Sequence, residues 1–199
     1  MDGRWLVVAA PVVLALSGFF SEVLEDWWLE NLAVAVVLAL AAWKREWLAL
    51  SNTSWILVFA FFCLHEYGAL HAYSNVPVGE WFGGGRNHYD RAIHFLYGLM
   101  LTRPLMEIFR ARGVRYPYAS AVQAIVSTSA LYEIAEWLVA ASVAPELGTE
   151  FIGAQGDVWD AQKDMALASI GALVHAAVFV GRVRRPRPIS SPSSFPIEP

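Results

Sequence analysis

The sequence predicts an all-α, polytopic membrane helix bundle of about six transmembrane helices, with both termini in the cytoplasm. Three observations carry the prediction. Of the 199 residues, 57% are hydrophobic and 16% are charged, whereas a soluble domain carries about 25% charged residues. Apolar segments recur at the length that spans a bilayer, roughly 20 helical residues for a hydrocarbon core about 30 Å thick. The basic residues collect in alternate connections, as they do in a chain threaded back and forth across a membrane.

The predicted spans are residues 4–21, 28–44, 54–74, 91–110, 118–143 and 161–181. The second is clearest, from LAVAVVLALAAW. The fourth is the least hydrophobic and is interrupted by Arg103 and Pro104. The fifth is rich in small residues (ASAVQAIVSTSA), which suits close helix packing in lipid. A rival reading makes residues 1–17 a cleaved signal peptide, but a second hydrophobic span follows at once. Residues 1–182 form one transmembrane domain, and the proline- and serine-rich residues 183–199 form a disordered cytoplasmic tail. The single cysteine, Cys63, excludes an intrachain disulfide. With a net charge of -4 and no basic run in the body of the chain, nucleic-acid binding is not expected. No internal repeat argues for an inverted-repeat transporter.

Orientation follows from charge. Arg4, then Lys44 and Arg45, then Arg110, Arg112 and Arg115, then Arg182, Arg184, Arg185 and Arg187 fall on one side. The other connections are acidic, with Glu22, Glu25, Asp26, Glu80, Glu146, Glu150 and Asp157. The positive-inside rule makes the acidic side the outer one. Trp27, Trp28, Trp43, Trp47, Trp55 and Trp81 lie near helix ends, where an aromatic belt is expected.

With that topology the polar residues of four spans reach the same leaflet. His65, Glu66 and His71 end the third span, Asp90 and His94 open the fourth, Glu133 and Glu136 lie late in the fifth, and Asp160 and Asp164 open the sixth. Asp90 and His94 are four apart, as are Asp160 and Asp164, and Glu133 and Glu136 are three apart, so each pair shares a helix face. Ionisable groups within membrane segments usually face a bundle interior or an aqueous cavity. Taken singly, these residues have plainer readings. Asp90 or Asp157 would serve as N-caps, Asp160 with Lys163 and Glu107 with Arg103 as simple pairs, and His175 and Arg103 as structural groups. Taken together, at least seven acids compete for Arg86, Arg91 and Lys163, and a surplus of buried acids must share protons or bind a cation. Carboxylates with imidazole suit zinc, manganese or iron more than calcium. The expected metal ligands are Asp90, His94, Glu133 and Asp164. Glu133, Glu136 and Asp160 are the candidate acid–base groups. Arg86, His88, His65, Glu66 and Asp157 are candidates for contact with substrate.

HYDRAIHFLYGLM, LYEIAEWLVA and FIGAQGDVWDAQKDMALASIGAL together resemble the YjdF family of bacterial inner-membrane proteins. The resemblance implies a multi-pass protein of the cytoplasmic (inner) membrane and supplies no reaction. More distantly the chain is similar to VanZ-like membrane proteins, whose pattern Asp90 and His94, Glu133 and Glu136, and Asp164 and Gly171 match in turn. Ala168 stands where that pattern has Asn, and Glu136 where it has Gln.

The expected function is that of a membrane-embedded enzyme or binding protein acting on an envelope lipid or lipid-linked substrate. Its site opens to the outer leaflet and uses a divalent metal. The alternatives are a small proton-coupled transporter and a non-catalytic scaffold. The stretch EWFGGGRNHYD is expected to be an ordinary flexible connection, with a mobile lid as the other reading.

Overall fold

The computed structural model describes residues 3, 5–78, 85–143 and 155–180, leaving aside the Arg45 side chain. Its described residues form seven helices: α1 Leu6–Phe20, α2 Leu24–Trp43, a single turn α3 Arg45–Leu48, α4 Asn52–Leu70, α5 Tyr89–Ala111, α6 Pro117–Val143 and α7 Asp160–Phe179. Residues 80–84 of the EWFGGGRNHYD connection, Trp81 among them, and the tail 183–199 lie outside the described residues.

Local chemistry places the boundaries. α2 opens with Glu25 and Asp26, acids that complement the positive end of a helix. The Ser51 hydroxyl caps α4 by accepting the Ser54 N–H at 3.2 Å. α6 begins on Pro117, whose missing N–H costs nothing in a first turn. α5 runs unbroken through Arg103 and Pro104, because Pro104 is buried among neighbouring helices that hold the segment. The third span stops at Leu70 instead of residue 74. Ala72 and Tyr73 turn the chain with φ of 45° and 51°, conformations that L-residues seldom adopt.

By length and composition α2, α4 and α6 can each cross a membrane, and α1 is a shorter apolar helix. Their outward faces are apolar, including Val8, Leu32, Val37, Leu131 and Trp137. Trp28, Trp43 and Trp47 are also exposed, as a belt requires, but Trp27 and Trp55 are buried core residues. Trp55 packs with Leu6, Ala10 and Phe62 between α1 and α4, and Trp27 with Ala69, Tyr73, Val76, Tyr89 and Ile93.

Successive long helices alternate in direction, so α1 and α4, and likewise α5 and α7, run side by side the same way. The backbones of α5 and α7 touch. A Cβ added to Gly98 would stand 1.9 Å from the Ala168 carbonyl oxygen, and one added to Gly171 would stand 2.1 Å from that of Phe95. Small residues permit this approach, and in lipid such close packing drives helix association. The close neighbour at Gly171 is α5. The antiparallel α6 covers this pair through Ile125 and Ala121, both fully buried.

One end of the bundle is therefore shared by the starts of α2, α5 and α7 and the ends of α1, α4 and α6. At the opposite end Glu107 accepts hydrogen bonds from the Ser51 N–H and hydroxyl at 2.8 Å each and pairs with Arg103 at 3.2 Å. There Arg112 also stacks 3.3 Å from the Trp47 ring centre.

Candidate functional site

The parallel crossing of α5 and α7 fixes what lies one to three turns above it. Asp90 and His94 on α5 come opposite Asp160 and Asp164 on α7, while the late turns of α6 bring Tyr132, Glu133 and Glu136 alongside. Two layers result.

The layer nearest the helix ends is paired. Arg86 bonds Asp160, and Arg91 bonds Asp157 and, at 3.2 Å, Asp160. Lys163 bonds Asp157 at 2.5 Å. This corrects the expected Asp160–Lys163 pair, because two guanidinium groups already hold Asp160. It also corrects the expected caps. The N-cap of α7 is Trp159 and that of α5 is His88. Asp157 sits earlier and accepts the Trp159 N–H at 3.1 Å, an Asx turn that leads into α7. Asp90 lies inside the first turn of α5, and Asn87 accepts the Tyr89 N–H there. The Lys163 ammonium, with the Trp159 N–H and Arg91, holds the Asp157 carboxyl well below the usual carboxylate range. Asn87 and Gln155 exchange two hydrogen bonds, 2.9 and 3.1 Å, and Asn87 also donates to the Val76 carbonyl at 2.8 Å. These bonds tie the approaches to α5 and α7 together.

The deeper layer is gathered around His94 through longer contacts. His94 Nε2 stands 3.4 Å from Asp90 Oδ1 and 3.6 Å from Glu133 Oε1. One donor atom each of Asp90, His94 and Asp164 lies within 4.8 Å of the others. Good N–H···O hydrogen bonds are about 2.7–3.2 Å long, so these contacts are too long to satisfy the groups. Asp164 is 2% exposed. Among the described residues neither Asp164 Oδ1 nor Glu133 Oε1 has a hydrogen-bond partner. The basic side chains at this end are engaged with Asp157 and Asp160 in the layer above.

The remaining expected residues divide. His65 takes a 2.6 Å contact from the Tyr73 hydroxyl at Nδ1, and Asp90 and His94 act on it electrostatically. Glu66, one residue on and so about 100° around the helix, faces away from that cluster. It meets the Ser17 hydroxyl, which also receives the Trp27 indole N–H at 3.0 Å. The structure thus sets Glu66 with α1 and α2, apart from the other candidates. His88 marks the start of α5. His175 is buried, with Nδ1 2.9 Å from the Leu99 carbonyl oxygen and its ring against Phe179, as a structural histidine would be.

Two residues of the cluster were not singled out by the sequence. Tyr132 lays its ring edge-on to His94, with centres 6.2 Å apart, and donates to Glu30 of α2 at 2.7 Å. Glu30 in turn acts electrostatically with Asp90 and His94. The available signal was an acid four residues after Asp26 that heads into the apolar run of α2.

Comparison with known proteins follows the same outline. Residues 3–185 match the family described as "Predicted membrane protein (DUF2238)". The chain is 31% identical over 180 residues to the inner membrane protein YjdF of Escherichia coli (strain K12), covering 86% of this chain and 85% of that protein. No solved structure matches.

Proposed function

The chain belongs to the DUF2238 family of predicted membrane proteins and is a multi-pass protein of the inner membrane, and from that premise we propose that its deeper polar layer holds a divalent transition metal. The ligands are Asp90, His94, Glu133 and Asp164. The observation that carries this reading is the spacing around His94 Nε2, 3.4 and 3.6 Å to two carboxylate oxygens. Ligand atoms about 2.0–2.2 Å from a tetrahedrally bound zinc-like ion lie about 3.3–3.6 Å apart. These contacts are longer than good hydrogen bonds, and a buried carboxylate oxygen without a hydrogen-bond partner, as at Asp164 Oδ1 and Glu133 Oε1 among the described residues, is costly. A cation removes that cost. Mixed carboxylate and imidazole ligands favour zinc, manganese or iron.

The metal serves chemistry on an envelope lipid or lipid-linked substrate that reaches the site from the outer leaflet. Glu136, in contact with Glu133, is the candidate acid–base group. Asp160 moves from that role to a positioning one, since Arg86 and Arg91 occupy it. These arginines also hold the rim where an anionic headgroup would arrive. The charge asymmetry of the connections makes this end the outer one.

The test is elemental analysis of protein purified in detergent without chelators. Near-stoichiometric transition metal is expected, and His94→Ala and Asp164→Asn are expected to lose it while eluting as folded protein. Wild-type protein that stays metal-free as isolated and after incubation with zinc, manganese and iron would end the metal reading.

A further inference from the structure

We infer that the basic end of the bundle, opposite the acidic cluster, carries a binding site for an anionic phospholipid, with Lys44 and Arg112 as the phosphate-binding groups. The single turn α3 assembles it. Lys44 caps α3, and its carbonyl accepts the Leu48 N–H at 2.9 Å, so Lys44 and Trp47 share one helical turn. Arg112, at the end of α5, reaches that turn. It donates to the Trp47 carbonyl and stacks 3.3 Å from the Trp47 ring centre. The Lys44 ammonium lies 3.8 Å from the Trp43 ring centre. Two cations, each held over an indole, thus meet on one short segment.

The two ends of the bundle treat their cations differently. At the acidic end Arg86, Arg91 and Lys163 each pair with an aspartate. At the basic end, among the described residues, neither Lys44 nor Arg112 pairs with a carboxylate, although Glu46 lies on the same turn. Glu107, another acid at this end, is taken by Ser51 and Arg103. Arg112 gives N–H groups to the Ile108 and Trp47 carbonyls, and the rest of its exposed guanidinium is open to a ligand. Stacking on an indole fixes each cation in place and leaves its charge intact. Trp43 and Trp47 are 72% and 59% exposed, as tryptophans at headgroup depth are. The positive-inside rule makes this the cytoplasmic leaflet, whose anionic lipids attract basic groups. Below Lys44, the exposed Val36, Leu40 and Trp43 form one apolar stripe down α2, at i, i+4 and i+7. An acyl chain fits that stripe and a soluble phosphate has no use for it, so the ligand is a lipid phosphodiester.

The experiment is native mass spectrometry of delipidated full-length protein, incubated in detergent with equal amounts of dioleoyl phosphatidylglycerol and dioleoyl phosphatidylcholine. The two lipids share their acyl chains and differ in headgroup charge. Wild type is expected to retain the anionic lipid about 25-fold more, at about fivefold for each basic group near an anionic surface. Lys44→Gln and Arg112→Gln are each expected to lower the preference about fivefold, and the double variant to hold both lipids alike. Among the described residues the Lys44 side chain makes only its ring contact, so Lys44→Gln tests the site even where Arg112→Gln fails to fold. Lys163→Gln removes a cation from the acidic end and is expected to keep the wild-type preference. Equal retention of both lipids by wild type, an undiminished preference in Lys44→Gln, or an equal loss in Lys163→Gln would overturn the site. Displacement of the lipid by excess inorganic phosphate would assign the patch to a soluble anion and overturn the lipid reading.

Discussion

Asp157 and Asp164 lie two turns apart, and their surroundings give them opposite roles. Asp157 is outside the helix and bound by Lys163, a backbone N–H and Arg91, so it is a strut charged at neutral pH. Its folded pKa is depressed. Its stabilising effect is therefore complete above the unfolded value, about 3.9, and is lost as pH falls from there through the folded value. The melting temperature of wild type should exceed that of Asp157→Asn by a constant margin between about pH 5 and 8 and by a shrinking margin below about pH 4. A margin that grows on acidification would contradict the pairing. Asp164 has no such salt bridge among the described residues, and its buried Oδ1 lacks a hydrogen-bond partner there, which is why the proposed metal site includes it. The sequence shows that acids outnumber bases at this end. It cannot show which acid takes which base, because Arg86 and Arg91 reach Asp160 over a sequence separation of about 70 residues.

At the scale of the helix, hydropathy and length made the bounds of five of the six long helices legible to within a few residues, and α2, α4 and α6 are long and apolar enough to cross a membrane. Charge spacing made the faces of α5, α6 and α7 legible as well. What stayed hidden was set by contact between helices. Gly98 is one of many small residues in the sequence, yet in the structure it and Gly171 decide how closely α5 and α7 approach. Replacing either with Val should force the backbones apart and lower stability by about 3 kcal/mol, the upper part of the overpacking range. Protease resistance or thermal unfolding in detergent would register it. Tolerance of Gly98→Val without loss would mean that the crossing is looser than the structure has it. Trp27 and Trp55 show the same gap. Position near a helix end suggested an interfacial belt, but partners far along the chain, Ala69 and Tyr89 for Trp27 and Phe62 for Trp55, take them into the core. Glu30 was concealed likewise, since its meaning depends on Tyr132, 102 residues later.

At the scale of the molecule, the two ends of the bundle differ in kind. One gathers acids and histidines from five helices. The other holds Arg103, Arg110 and Arg112, with Lys44 and Arg112 each over the ring of a tryptophan. That asymmetry is the structural counterpart of the positive-inside pattern. A reporter fused after Pro199 should be active in a cytoplasm-dependent format and silent in a periplasm-dependent one, and the reverse would invert the whole assignment. Ligand-linked stability tests most directly whether four side chains from three helices hold one ion. An ion at 100 times its Kd stabilises the folded state by about 2.7 kcal/mol. The thermal unfolding temperature of metal-stripped wild-type protein should rise by several degrees with saturating zinc or manganese, and that of folded Asp164→Asn should not. Equal shifts in both proteins, or a shift in neither, would contradict it.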